Sequence, residues 1–219
     1  MSFETVLLTI AVSYLIGSFP TAYLVGRLNN VNIFEIGSGN MGTANATRAL
    51  GMKWGGVVWG VDIVKGIVAV LLARGLLYPH LGWANVLGAL FVIVGHNWSI
   101  FATLITGRVR GGKGAATWWG TFILLVPAPI VALVALLFAG IIALTRYISL
   151  GVLTSVAVGA AAIVLLIMGN SGGLALGQGE LPEIYLLYAL VAGAIIFIRH
   201  KANIERLIAG TERRLGERA

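Results

Sequence analysis

The sequence predicts an all-α integral membrane protein with seven transmembrane helices, N-terminus outside and C-terminus cytoplasmic. Three observations predict it. First, 58% of the 219 residues are hydrophobic and only 11% are charged. A soluble domain carries about 25% charged residues, so too little polar surface remains to clothe a water-soluble globule. Second, apolar runs of span length recur along the chain. Third, the cations fall into four clusters that a seven-span arrangement places on one side, as the positive-inside rule requires.

Composition also excludes some chemistry. With no cysteine, disulfides, thiol catalysis and thiolate metal sites are ruled out. The formal net charge of +7 fits cytoplasmic loops rather than nucleic-acid binding. The length suits a single integral-membrane domain, residues 1–219.

The first apolar run, near 5–26, has no Lys or Arg ahead of it. A secretory signal needs a basic leader, so this reads as a retained span. Next comes a polar segment, GSGNMGTANATRALG, from Gly37 to Gly51. Gly37 and Gly39 permit tight turns around Ser38. Ser38 or Asn40 is expected to cap a helix starting near Met41, leaving free amides at a helix N-terminus. Asn45 and Arg48 then share a face at i and i+3.

The second span, near 54–78, contains Asp62 and Lys65. Intramembrane charges are functional candidates. At i and i+3 the two are neighbours, and a structural pair bracing the inner end of the fold is the preferred reading. The third span is expected near 82–105. It leads to a second polar segment, GRVRGGKGAAT, where Gly111, Gly112 and Lys113 precede a helix start. This is not a Walker A loop, because Gly114 follows the lysine.

Residues 115–146 are one long kinked helix or two helices divided at Pro127 and Pro129. With one helix, Arg146 and the basic tail fall opposite the other cations. The split is therefore preferred, giving spans near 113–126 and 128–145. The fourth span is then short, so either the membrane thins there or the span begins below the surface in a protein-lined recess. Spans near 147–169 and 182–199 follow, joined by the glycine-rich outer connection. Residues 200–210 read as an amphipathic helix on the inner surface, with His200 and Asn203 at i and i+3.

Each polar segment alone is equally a capped loop, a flexible basic link or a lipid anchor. Together, Arg48, Lys113 and His200 lie on three elements at one membrane face, two beside glycine-rich helix starts. No acidic cluster suited to a metal accompanies them. The set points to an anion site, plausibly for phosphate, at headgroup depth.

These segments resemble the bacterial membrane glycerol-3-phosphate acyltransferases that use acyl phosphate as donor. The matching residues are GSGN at 37–40, Asn45, Arg48, GGKG at 111–114 with Ala116-Thr117, and His200 through Glu212. VDIVKG, GHNWS and RYISL are similar too, so the resemblance runs in order through nearly the whole chain. It implies seven spans in the cell membrane with a cytoplasmic-side site. The implied reaction moves an acyl group from acyl phosphate to the 1-hydroxyl of glycerol 3-phosphate, giving lysophosphatidic acid and phosphate. It further implies no cofactor and no metal, a monomer in the lipid bilayer, and association with the upstream acyl phosphate synthase.

Under that resemblance Ser38, Lys113 and His200 are the catalytic candidates, with Ser38 read as a hydrogen-bond donor rather than an acylated nucleophile. Arg48 and Lys113, with amides near Ser38 and at Gly111–Gly112, are expected to hold phosphates. Gly37, Gly39, Asn40, Asn45, Ser149 and Asn203 complete the substrate-binding set. The general base is His200 or a substrate phosphate oxygen.

Two departures from the family pattern stand out. Thr43-Ala44-Asn45 replaces the family's Ala-Thr-Asn order, which turns the hydroxyl by roughly 100° on a helix, so Thr43 is assigned no role. Ile100 stands where proline is usual and the link after it is longer, which is expected to put Arg108 and Arg110 off the site. An anion or phosphate-ester transporter is the alternative reading. The bland outer loops and the lack of inverted repeats weigh against it.

Overall fold

The computed structural model describes residues 1–169 and 183–217. The outer connection at 170–182 and Arg218 lie outside the described residues. Among the described residues the regular structure is all helical, apart from one isolated bridge between Ser99 and Arg110. The helices are α1 (Phe3–Ser18), α2 (Thr21–Leu28), α3 (Thr43–Leu50), α4 (Met52–Leu77), α5 (Leu81–Asn97), α6 (Ile100–Thr106), α7 (Ala115–Leu125), α8 (Ala128–Thr145), α9 (Ile148–Met168), α10 (Ile184–Arg199) and α11 (Lys201–Ile208).

Among the described residues four stretches are long and apolar enough to cross a membrane: Phe3–Leu28, Met52–Leu77, Ala128–Thr145 and Ile148–Met168. The pair α10–α11, bent by 63°, makes a fifth if taken as one. Two further apolar helices, α5 and α7, are shorter. Only Val134 of α8 is fully buried: one face of this very apolar helix, with Leu133, Leu136 and Leu144, is exposed, as on a lipid-facing helix, and Phe138 packs inward.

Two spans are broken where the sequence reading has them continuous. The first is interrupted at Phe19–Pro20, since Pro20 has no N–H to continue α1. Lys65 Nζ donates to the carbonyls this break leaves, Gly17 O at 3.2 Å and Phe19 O at 3.1 Å. Asp62 Oδ1 lies 2.8 Å from Lys65 Nζ and accepts from Thr21 Oγ1 at 3.0 Å. The pair satisfies a broken helix end, while Asp62 also lines the cleft described below, with its buried Oδ2 unpartnered.

The third span, expected over 82–105, stops at Asn97. Ser99 then caps α6, its hydroxyl accepting from Ala102 N at 3.1 Å and donating to Ser18 O. A polar residue able to cap a new helix there outweighed the apolar continuity.

Close helix crossings rest on glycine. A Cβ on Gly17 would sit 2.1 Å from Val92 O, and one on Gly95 would sit 2.1 Å from Tyr14 O, so α1 and α5 meet backbone to backbone. Gly66 and Gly120 do the same for α4 and α7. The core lies between α5, α7, α9 and α10, around Trp118, Trp119, Phe122, Tyr185 and Tyr188.

The bundle has two distinct ends. At one, the Met1 amine lies 3.3 Å from His80 Nε2, and Arg74 bridges Asn85 Oδ1 and Leu124 O. At the other, the basic segments interlock: Arg110 reaches Gly39 O, Arg199 reaches Gly112 O, and Arg146 reaches Leu215 O. Helix α7 has 11 residues, about 17 Å at 1.5 Å each, roughly half of a hydrocarbon core of about 30 Å. The loop before it therefore folds inward, with Gly112 N donating to His96 O at 2.9 Å.

Candidate active site

The loop between α2 and α3 is organised by one side chain. Asn45, 1% exposed, accepts from Ser38 N at 2.9 Å and donates to Ile33 O and Asn40 O at 3.1 and 3.0 Å. Its amide is committed to the protein, which makes it a loop-shaping residue. Gly37 and Gly39 both take φ of 62°, the left-handed region that suits glycine. Helix α3 starts at Thr43, two residues beyond the expected start at Met41. Asn40 Oδ1 accepts from Gly42 N at 3.0 Å, closing a local turn instead of capping a helix at Met41. Arg110 also braces this loop, donating to Gly39 O at 3.1 Å and lying over the Phe34 ring at 5.6 Å. Arg110 is not among the residues that line the cleft described below.

The GGKG loop is held just as firmly. A Cβ on Gly111 would meet Asn97 O at 2.0 Å, and one on Gly112 would meet His96 Nε2 at 2.0 Å. These glycines let the loop press against the end of α5. Arg199 fastens it from α10, with Nε and Nη2 on Gly112 O at 3.1 and 2.8 Å. The loop amides expected to cradle phosphate are largely used up. Ser38 N is on Asn45, Gly39 N is on Ile36 O at 3.0 Å, and Gly112 N is on His96 O.

The side chains fare differently. A cleft of about 300 Å³ opens among α3, α4, α7, α8, α9 and the C-terminal segment. Asn40, Asn45, Arg48, Lys113, Ser149, His200 and Asn203 line it. Gly37, Ser38, Gly39, Gly111 and Gly112 are not among its lining residues, and Ser38 is exposed. Apolar side chains line it as well, among them Trp59, Trp119, Phe138, Ile142 and Val152.

Within the polar wall the contacts are specific. Lys113 Nζ donates to Asn203 Oδ1. Asn203 Nδ2 and Ser149 Oγ donate to Glu212 Oε1 at 2.7 and 2.9 Å, and Arg206 Nε meets Glu212 Oε2 at 2.7 Å. His200 Nδ1 faces Ile196 O at 2.8 Å. A carbonyl only accepts, so the proton is on Nδ1 and Nε2 keeps its lone pair.

Sequence reasoning missed two members. Glu212 is the hub of the polar wall; the His200-to-Glu212 pattern contained it, yet a lone carboxylate 12 residues on gave no sign of a partner. Thr43 lines the cleft with a buried Oγ1 that has no protein partner, although it was assigned no role.

Electrostatics favour an anion. Burial, with Arg206 next, brings the Lys113 ammonium down to about 8. Burial and then Lys113 bring His200 down to about 4, so it is neutral at pH 7. Burial and then Arg213 lower Arg48, whose buried Nε has no partner. Burial raises Glu212, but hydrogen bonds from Asn203, Ser149 and Arg206 outweigh it and hold the carboxyl below its ordinary value. The cleft therefore offers positive charge at strained cost, which a bound anion relieves.

The model of the family described as glycerol-3-phosphate acyltransferase matches residues 7–210. Glycerol-3-phosphate acyltransferase 2 of Moorella thermoacetica is 43% identical, over 97% of this chain and 99% of its own. A glycerol-3-phosphate acyltransferase of Thermus thermophilus is also 43% identical, over 96% of each chain. Among solved structures, the integral membrane glycerol 3-phosphate acyltransferase PlsY is similar in two forms. The glycerol 3-phosphate form has a TM-score of 0.78 at 31% identity over 96% of each chain. The lysophosphatidic acid form has a TM-score of 0.76 at 32% identity, over 96% of this chain and 95% of its own.

Proposed function

The chain belongs to the glycerol-3-phosphate acyltransferase family, and from that premise we propose that it moves an acyl group from acyl phosphate to the 1-hydroxyl of glycerol 3-phosphate. The products are lysophosphatidic acid and phosphate. The observation that carries this reading is the convergence of Arg48, Lys113, Ser149, His200 and Asn203 on one cleft that Trp59, Trp119 and Phe138 also line. Such a cleft suits a ligand with a phosphate head and an acyl tail. That the relative was solved with glycerol 3-phosphate and with lysophosphatidic acid supports the same acceptor and product here. Family membership displaces the transporter alternative.

The donor is already activated, so the work of the site is electrostatic and geometric. Arg48 and Lys113 hold the two phosphates close despite their repulsion. Thr43, its hydroxyl unpartnered, adds a hydrogen bond to a phosphate oxygen. Asn203 and Ser149 are positioned by Glu212, and Asn203 in turn steers Lys113. The 1-hydroxyl oxygen attacks the acyl carbon, and the bond from that carbon to the phosphate oxygen breaks. His200 Nε2 accepts a hydrogen bond from the attacking hydroxyl. At about 4 the imidazole is a poor proton acceptor, so the proton passes to an oxygen of the departing phosphate, the more basic group. Ser38, exposed outside the cleft lining, serves as a hydrogen-bond donor only once substrate draws the loop inward.

The same reading places the protein in the bacterial cell membrane with seven crossings, N-terminus outside and the cleft toward the cytoplasm. The gathering of Arg48, Arg110, Lys113, Arg146 and Arg199 at one end of the bundle supports this orientation. The soluble acceptor then enters from the cytoplasm and the donor from the lipid.

Purified in detergent and supplied with palmitoyl phosphate and glycerol 3-phosphate, the protein is expected to form lysophosphatidic acid and release phosphate. Palmitoyl-coenzyme A in place of palmitoyl phosphate is expected to give no product. Absence of lysophosphatidic acid in the first assay overturns the proposal; turnover with the thioester overturns the donor assignment.

A further inference from the structure

Beyond the family match, which ends at residue 210, the chain crosses the rim of the cleft. Glu212, Arg213, Arg214, Leu215 and Gly216 all line it. The segment is pinned on both sides of Arg213. On one side Glu212 is gripped by Arg206, Ser149 and Asn203. On the other, Leu215 N donates to Arg146 O at 2.7 Å, and Arg146 Nη2 and Nε donate back to Leu215 O at 2.6 and 3.2 Å. Arg214 lies over the Tyr147 ring at 5.7 Å.

Arg213 itself is exposed at the cleft, and among the described residues no carboxylate or carbonyl takes its guanidinium. It is close enough to Arg48 to disfavour that residue's charge. A chain fixed on both sides of an arginine that lines the same cleft as Arg48 holds that cation where an anionic ligand can meet it.

The charge balance of the reaction points the same way. Two phosphate groups bring about −1.5 to −2 each, against Arg48 and Lys113. Arg206 is matched by Glu212, while Arg110 and Arg199 are occupied by backbone carbonyls. A third cation is needed at the mouth.

We propose that the strap Glu212–Gly216, latched by Arg146, carries a further substrate-binding residue, Arg213, which holds the phosphate of the water-soluble acceptor glycerol 3-phosphate. Arg213, Arg214 and Gly216 of the strap are exposed, while the apolar lining of Trp119 and Phe138 is where the donor's chain belongs. An acceptor arriving from water meets Arg213 first. Bidentate guanidinium–phosphate pairing then relieves the repulsion between Arg213 and Arg48. The inference rests on the function proposed above.

The test uses the full-length protein in detergent. Wild-type turnover of palmitoyl phosphate with glycerol 3-phosphate comes first; its absence sinks the function proposal. With turnover established, Arg213→Ala is expected to raise the KM for glycerol 3-phosphate about tenfold, as for loss of one charged hydrogen bond, and to shift the KM for palmitoyl phosphate by less than about twofold. Titration calorimetry with glycerol 3-phosphate alone is expected to show the same weakening. Arg146→Gly, which suits the φ of 63° there, loosens the latch without straining the backbone and is expected to raise the same KM by a smaller factor. Lys201→Ala, an exposed cation away from the cleft, is expected to change neither. An unchanged acceptor KM in Arg213→Ala overturns the proposal, as does a rise confined to palmitoyl phosphate.

Discussion

Lys113 shows how one side chain joins several demands. It sits in the loop ahead of α7, touches Asn203 and lines the cleft. Its ammonium is charged below about 8 and neutral above. A neutral lysine cannot hold a phosphate, so kcat/KM is expected to fall as pH rises through about 8. Bound phosphate favours the charged form, so the corresponding limb in kcat lies at higher pH. Lys113→Arg, if it turns over, is expected to lose the alkaline limb, because guanidinium stays protonated. Lys113→Ala and Arg48→Ala are each expected to cut turnover to near background; rates near wild type in either refute its role. Arg48, Lys113, His200 and Asn203 were legible from residue type and spacing. Glu212 and Thr43 were not, because their importance lies in partners rather than in the residues. Ser149 and Asn203 meet Glu212 only in three dimensions, and the Thr43 hydroxyl counts because nothing else takes it.

At the scale of elements, the glycine-rich loops do more than present amides. Of the GGKG amides, that of Gly112 is bonded to His96 O. The glycines also let the loop lie against α5, with His96 Nε2 where a Gly112 side chain would be. Gly112→Ala is therefore expected to displace the loop and Lys113 with it. Overpacking of this kind costs about 1–3 kcal/mol, so the variant should unfold at lower temperature in detergent and lose most activity; an unaltered melting curve with full activity contradicts this. The division at Pro127 was legible from charge, and α8 begins just after it, at Ala128. The break at Ser99 was not, since hydropathy averages over a window and one capping hydroxyl disappears in it. The interruption at Phe19–Pro20 was similarly hidden, although Lys65 and Asp62 were its visible counterpart in sequence.

At the scale of the whole molecule, the proposed orientation is open to direct measurement. The chain has no cysteine, so single substitutions report position without background. Cysteine at Arg108 is expected to react with a membrane-impermeant maleimide only from the cytoplasmic side, and cysteine at Tyr78 only from the outside. Both positions are exposed and belong to opposite ends of the bundle. Reaction of both from one side would overturn the seven-crossing arrangement. By itself the sequence determined the class, all-helical and membrane-embedded, and the gathering of cations that defines the site. Hydropathy and charge add up residue by residue, so they survive in a linear reading. Only the tertiary structure decided which amides are spent, which hydroxyls are free, and that Glu212 and Arg213 stand at the cleft. Those properties depend on whether a partner from a distant segment is present within hydrogen-bonding reach, and folding alone sets that.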